Sequence, residues 1–138
     1  MSYMNQEKKA ELAPGIKAVL KKYGVKGTIG VRDHSTLVVN LKGGKLNILE
    51  NWYQTATKYS EVNNYGDKIE RREYLDVNHF WIDEGYSGQV KEFLNELLVA
   101  MKGKDWYNNS DIMTDYFDTA YYIDINVGKW DKPYVYEV

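Results

Sequence analysis

Between Ser87 and Gly103 the chain places Val90, Phe93, Leu94, Leu97, Leu98 and Met101 at the three- and four-residue spacing of one helical face. A helix so apolar on one side must bury that side against another layer, and this limits the fold more than any other segment. Ser87 suits the N-cap, and Gly103 suits the stop after the last turn. A chain of 138 residues is of ordinary size for one domain and can close such a layer around a continuous core. It contains no cysteine, which excludes disulfides, thiolate zinc sites and cysteine nucleophiles, so packing and hydrogen bonding must hold the fold.

The remaining elements follow from periodicity and breakers. Leu12, Ile16, Val19, Leu20 and Tyr23 mark a second amphipathic helix, with Lys21 and Lys22 in its last turn and Gly24 as its cap. Pro14 lacks the N–H that would bond back to Ala10, which places the helix start near Pro14 after a loosely helical lead-in. Val25–Arg32 and Ser35–Leu41 read as a hairpin turning through Asp33 and His34, although neither is the glycine that primed turns prefer. Gly43 and Gly44 break the chain before Leu46, Leu49, Tyr53 and Ala56, whose spacing suggests a further, shorter helix. Residues 60–73 are polar and aperiodic and read as an exposed loop. Tyr74–Ile82 alternates like a largely covered strand. A final strand at about Thr119–Val127 sets Tyr121, Ile123, Ile125 and Val127 on one face, with Tyr122, Asp124 and Asn126 on the other. Trp130, Pro133, Tyr134 and Tyr136 imply a tail packed onto the body. The expectation is one α+β domain over residues 1–138, in the order α-β-β-(α)-β-α-β, with two amphipathic helices on one face of a mainly antiparallel sheet.

Net charge is −2, but the charge is segregated. Residues 1–49 carry nine Lys/Arg against three Asp/Glu, and residues 105–138 carry two against seven. No apolar run approaches the roughly 18 residues that cross a bilayer, and Met1–Ala13 is polar rather than export-like, so a cytoplasmic protein without a membrane partner is expected. The Walker A, GxGxxG, HExxH and GxSxG signatures are missing. His79 reads as a core histidine whose ring nitrogens find partners, and His34 as a turn residue. No cofactor and no metal are expected.

Three surfaces follow. Trp106, Asp111, Asp115, Tyr116, Asp118, Trp130 and Asp131 compose an acidic, aromatic surface fit to bind a basic protein surface, the alternative being that half the aromatics are core. Lys17, Lys21, Lys22, Lys26, Arg32 and Lys42 offer phosphate contacts for nucleic acid, against a solvated helix face. Asp111, Asp115 and Asp118, at i, i+4 and i+7, would share a helical face able to hold a hard cation for a metal-dependent enzyme, against simple capping of a short turn.

The run Asn109-Ser110-Asp111-Ile112-Met113-Thr114-Asp115-Tyr116-Phe117-Asp118, the stretch Tyr122–Tyr134 and His34-Ser35-Thr36-Leu37-Val38-Val39-Asn40 resemble the small domains associated with large polyvalent proteins of phages and conjugative elements. The resemblance covers most of the chain. It implies a phage or mobile-element accessory protein acting inside a bacterium, with no catalytic residues to carry over. Such a setting suggests a protein that binds a host protein, for instance to inhibit a nucleic-acid-guided defence nuclease.

Overall fold

The computed structural model describes residues 3–63, 72–104, 106, 107 and 120–137. In chain order the elements are α1 (Gln6–Tyr23), β1 (Val25–Arg32), β2 (Thr36–Gly44), α2 (Ile48–Asn63), β3 (Leu75–Val77), α3 (Ile82–Gly85), α4 (Gly88–Lys102), β4 (Tyr122–Val127) and β5 (Val135–Tyr136). The strands form one sheet in the order β1-β2-β4-β3, with β5 continuing along the β4 side of β2. Leu37, Val39, Leu41, Ile123, Ile125 and Val127 share a core with Ile16 and Leu20 of α1 and Phe93, Leu94 and Leu97 of α4. By strand alternation the opposite face carries Thr28, Arg32, Asn40, Asp124 and Asn126.

The α+β class holds, but the sheet is mixed rather than mainly antiparallel. β1–β2 and β3–β4 are antiparallel, whereas β2 runs parallel to both β4 and β5. The hairpin could be anticipated because a two-residue turn dictates its direction: Asp33 and His34 both adopt positive φ (54° and 53°), and Ser35 N–H closes onto Arg32 O at 3.2 Å. The direction of β4 depends instead on α2, β3, α3 and α4 intervening, and no local residue signals that. β2 runs on through Gly43 and Gly44 rather than ending at Leu41. A Cβ at Gly44 would lie 2.4 Å from Gly24 O, so these glycines permit close strand approach rather than breaking the strand.

Three other boundaries differ from expectation. α1 begins at Gln6, well before Pro14, because Asn5 caps it by accepting Lys8 N–H at 2.8 Å and the fully buried Met4 ties the lead-in down. Pro14 is accommodated inside the helix. α2 spans 16 residues and takes in residues 60–63, which were expected to lie in a loop; residues 64–71 lie outside the described residues. The strand expected at Tyr74–Ile82 lasts only from Leu75 to Val77. Asn78 ends it, since its side chain accepts Phe80 N–H at 3.1 Å and its carbonyl accepts Trp81 N–H at 2.9 Å, turning the chain out of the sheet.

α4 matches its periodicity, with Phe93, Leu94, Leu97 and Met101 fully buried. Ser87 occupies the N-cap position, yet its side chain makes no cap bond; its hydroxyl meets Asn51 and Thr55 of α2 instead. α4 meets α1 through Tyr23, whose ring packs edge-on against Phe93, and through Glu96, which accepts from Lys22 Nζ at 2.7 Å and from the Tyr23 hydroxyl. These two donors hold the Glu96 carboxyl below its ordinary value, the Lys22 bond contributing most. A depressed carboxyl contributes stability above its unfolded pKa of 4.5 and loses it as pH falls through the lower folded value. Urea unfolding between pH 5 and 3 should therefore show stability falling with acidification, and Glu96→Gln should flatten that slope; equal slopes in both proteins would refute the linkage.

Candidate functional site

After β4 the chain makes a tight turn whose two sides are both anchored. Gly128 N–H bonds Leu41 O at 2.8 Å, and Lys129 and Lys132 exchange backbone hydrogen bonds of 2.8 and 3.1 Å around Trp130 and Asp131. Gly128 takes φ 72°, and a Cβ there would lie 2.5 Å from Tyr134 N, so only glycine allows the returning segment to come so close. Beyond the turn, Tyr134 is buried, with its amide on Glu73 O at 3.1 Å and its hydroxyl donating to Leu46 O at 2.8 Å. β5 then pairs with Gly43 and Gly44, and Glu137 N–H reaches Gly44 O at 2.7 Å. The tail is packed on the body, as its aromatics suggested, while Trp130 is left 78% exposed at the tip of the turn.

Against this turn lies a cleft of about 350 Å³, lined by Thr28, Asn40 and Lys42 from the sheet and Lys129, Lys132 and Pro133 from the returning segment. All three lysines are exposed, and none forms an ion pair among the described residues. Asn126 donates to Asn40 Oδ1 at 3.1 Å, which leaves the Asn40 amide nitrogen as a free donor. The arrangement brings three cations to one cleft, and the adjoining turn carries the exposed Trp130 between Lys129 and Lys132 in sequence.

The residues named from sequence are distributed unevenly around this end. Trp130 and Asp131 sit at the tip of the turn, and Lys42 lines the cleft against it. Three of the other N-terminal cations are engaged within the fold: Lys22 with Glu96 at 2.7 Å, Lys26 with Glu137 at 3.0 Å and Arg32 with Asp124 at 2.7 Å. Lys17 and Lys21 stand exposed on α1. Trp106 packs against the core, donating Nε1–H to Tyr121 O at 2.9 Å, with the Lys102 ammonium 4.5 Å from its ring centre. Asp111, Asp115, Tyr116 and Asp118 lie outside the described residues. Among the described residues no group of three His, Asp or Glu side chains is placed to hold a metal ion, and no helix is long and apolar enough to cross a membrane.

His79 departs from its expectation. Its Nδ1 is buried without a hydrogen-bond partner among the described residues, and its ring lies 4.1 Å from that of Phe80. Burial, with a smaller push from Lys102, lowers its pKa below 6.5, so the ring is neutral at pH 7.

Lys129 and Lys132 were missed because each reads singly as a solvated charge; only the bridge between them reveals a pair flanking Trp130. Phe80 and Trp81, 69% and 55% exposed, were hidden by the strand-like alternation through Ile82. Comparison with family models, curated proteins and solved structures yields no match. Since Tyr134 fixes the returning segment, Tyr134→Phe should cost about 1–3 kcal/mol by leaving Leu46 O unsatisfied. It should also speed amide exchange at Lys129, Lys132 and Glu137; unchanged exchange at those amides would detach the turn from its anchor.

Proposed function

We propose that this chain is a non-catalytic binding protein, an accessory protein of a phage or other mobile element, and that the Trp130 turn is its anchor for a component of the bacterial host. The observation that carries this reading is the exposure of Trp130 on a turn tied down on both sides. A large aromatic ring held in water costs solubility, and a rigid one loses little freedom on binding, so such rings supply much of the energy at recognition surfaces. The resemblance to polyvalent-protein domains supplies the cellular setting.

The charge around the anchor alters the partner expected. The C-terminal acids Asp124 and Glu137 are taken up by Arg32 and Lys26, and the turn itself presents Lys129 and Lys132, with Lys42 opposite, against Asp131. A complementary partner is therefore anionic at this contact, where a basic partner was expected from the acidic tail. Trp106, bonded to Tyr121 and packed on the core, acts as support for the fold.

Trp130→Ala should leave urea stability within about 0.5 kcal/mol of the parent, as for an exposed side chain outside the core. It should also reduce capture of a specific macromolecule from bacterial lysate on the immobilised protein by tenfold or more. Val99→Ala, equally exposed on α4 at 70%, should leave capture intact. Capture that survives Trp130→Ala undiminished would overturn the proposal.

A further inference from the structure

Resting on the reading of the Trp130 turn as a binding anchor, we infer that its ligand is single-stranded nucleic acid, with phosphates held by Lys42, Lys129 and Lys132 and a base stacked on Trp130. Three observations converge. The lysines face one cleft from two separate chain segments and have no acidic partner among the described residues, so their charge is available to a ligand. Thr28 and the free amide of Asn40 add neutral hydrogen-bonding groups to the same wall. Trp130 stands between two of these lysines in sequence and offers its ring to solvent, so a π-face and phosphate contacts occur within one turn.

That combination of aromatic platform and local cations is the physical requirement for binding unpaired strands, since every base carries a π-face and every nucleotide a phosphate. A duplex hides its base faces, and so leaves the exposed ring without a partner. A cleft of about 350 Å³ has room for about one nucleotide, so further nucleotides would lie along the surface around it. The overall charge of −2 gives no long-range attraction to a polyanion, so recognition must rest on these few contacts, with Asp131 keeping the tip from being uniformly positive. An acidic protein segment would satisfy the lysines but leave the stacking face unused.

The test is anisotropy titration of a fluorescein-labelled oligothymidylate of about ten nucleotides, within the span of a single small module. Binding is expected at low salt, with log affinity falling against log salt at a slope of about −2, as three lysine–phosphate contacts on a single strand require. Trp130→Ala should weaken it about tenfold, the loss of one stacked base, while Lys129→Glu and Lys42→Glu should each weaken it further. A blunt duplex of the same length should compete poorly. Absence of binding at low salt, indifference to both Trp130→Ala and Lys129→Glu, or stronger competition by polyglutamate than by oligothymidylate would overturn the inference. If the oligonucleotide fails while capture from nuclease-treated lysate still depends on Trp130, the anchor stands and only its ligand has been misassigned. Failure of both removes the anchor as well.

Discussion

The double-sided burial of β2 is the constraint on which the rest depends. Thr36, Leu37, Val38 and Val39 are all buried, and the strand bonds β1 on one side and β4 and then β5 on the other. A one-residue slip of β4 against it would swap Ile123, Ile125 and Val127 with Tyr122, Asp124 and Asn126 and bury charge in place of core. Register at β2 therefore sets where β4 ends, where Gly128 meets Leu41 O, and so where the Trp130 turn projects. Tyr121, immediately before β4, secures the other end. Its hydroxyl shares its one proton between the Met101 carbonyl and Lys102 O, the latter 2.8 Å away, two carbonyls left open at the end of α4.

Part of the charge segregation along the chain is cancelled in space, at two of the three C-terminal acids among the described residues. Parallel pairing of β2 with β4 and β5 carries the acidic C-terminal strands back beside the basic N-terminal hairpin, where Arg32 meets Asp124 and Lys26 meets Glu137. Exposed pairs of this kind add little stability, about 0–1 kcal/mol each. Their larger effect is on what remains among the described residues: with those two acids occupied, Lys42, Lys129 and Lys132 stand around the cleft against Asp131. A linear count of charge pointed to an acidic surface; among the described residues the exposed tryptophan is flanked by Lys129 and Lys132, while Asp105, Asp111, Asp115 and Asp118 lie outside them.

Much of this architecture was legible because it is written in local chemistry. The face of α4, the alternation of Tyr121–Val127 and the positive-φ pair Asp33-His34 each depend on residues a few positions apart. What could not be read depends on separation. The direction of β4 is decided by a long connection, and Trp106 looked like a free anchor because its bond to Tyr121 O joins residues 15 positions apart in the sequence. Tyr74–Ile82 misled for a different reason: alternation persists through the turn, while the side chain of Asn78 competes for the backbone and ends the strand after Val77. Of the candidate site, Trp130 and Asp131 were named from the sequence for a basic protein partner and Lys42 for nucleic acid, while Lys129 and Lys132 required the bridge between them.

Why the turn is held so firmly bears on what it does. Tyr134, Gly128 and β5 anchor the turn to the body, although neither Trp130 nor Asp131 belongs to the core. Rigidity at an exposed ring lowers the ordering cost of contact, so affinity can come from one stacked face and a few charges. On the proposed reading, a flexible tip with the same residues would forfeit part of that energy on binding. The buried Tyr134 hydroxyl and the exposed Trp130 ring therefore work as one device, the first fixing in the core what the second presents to water.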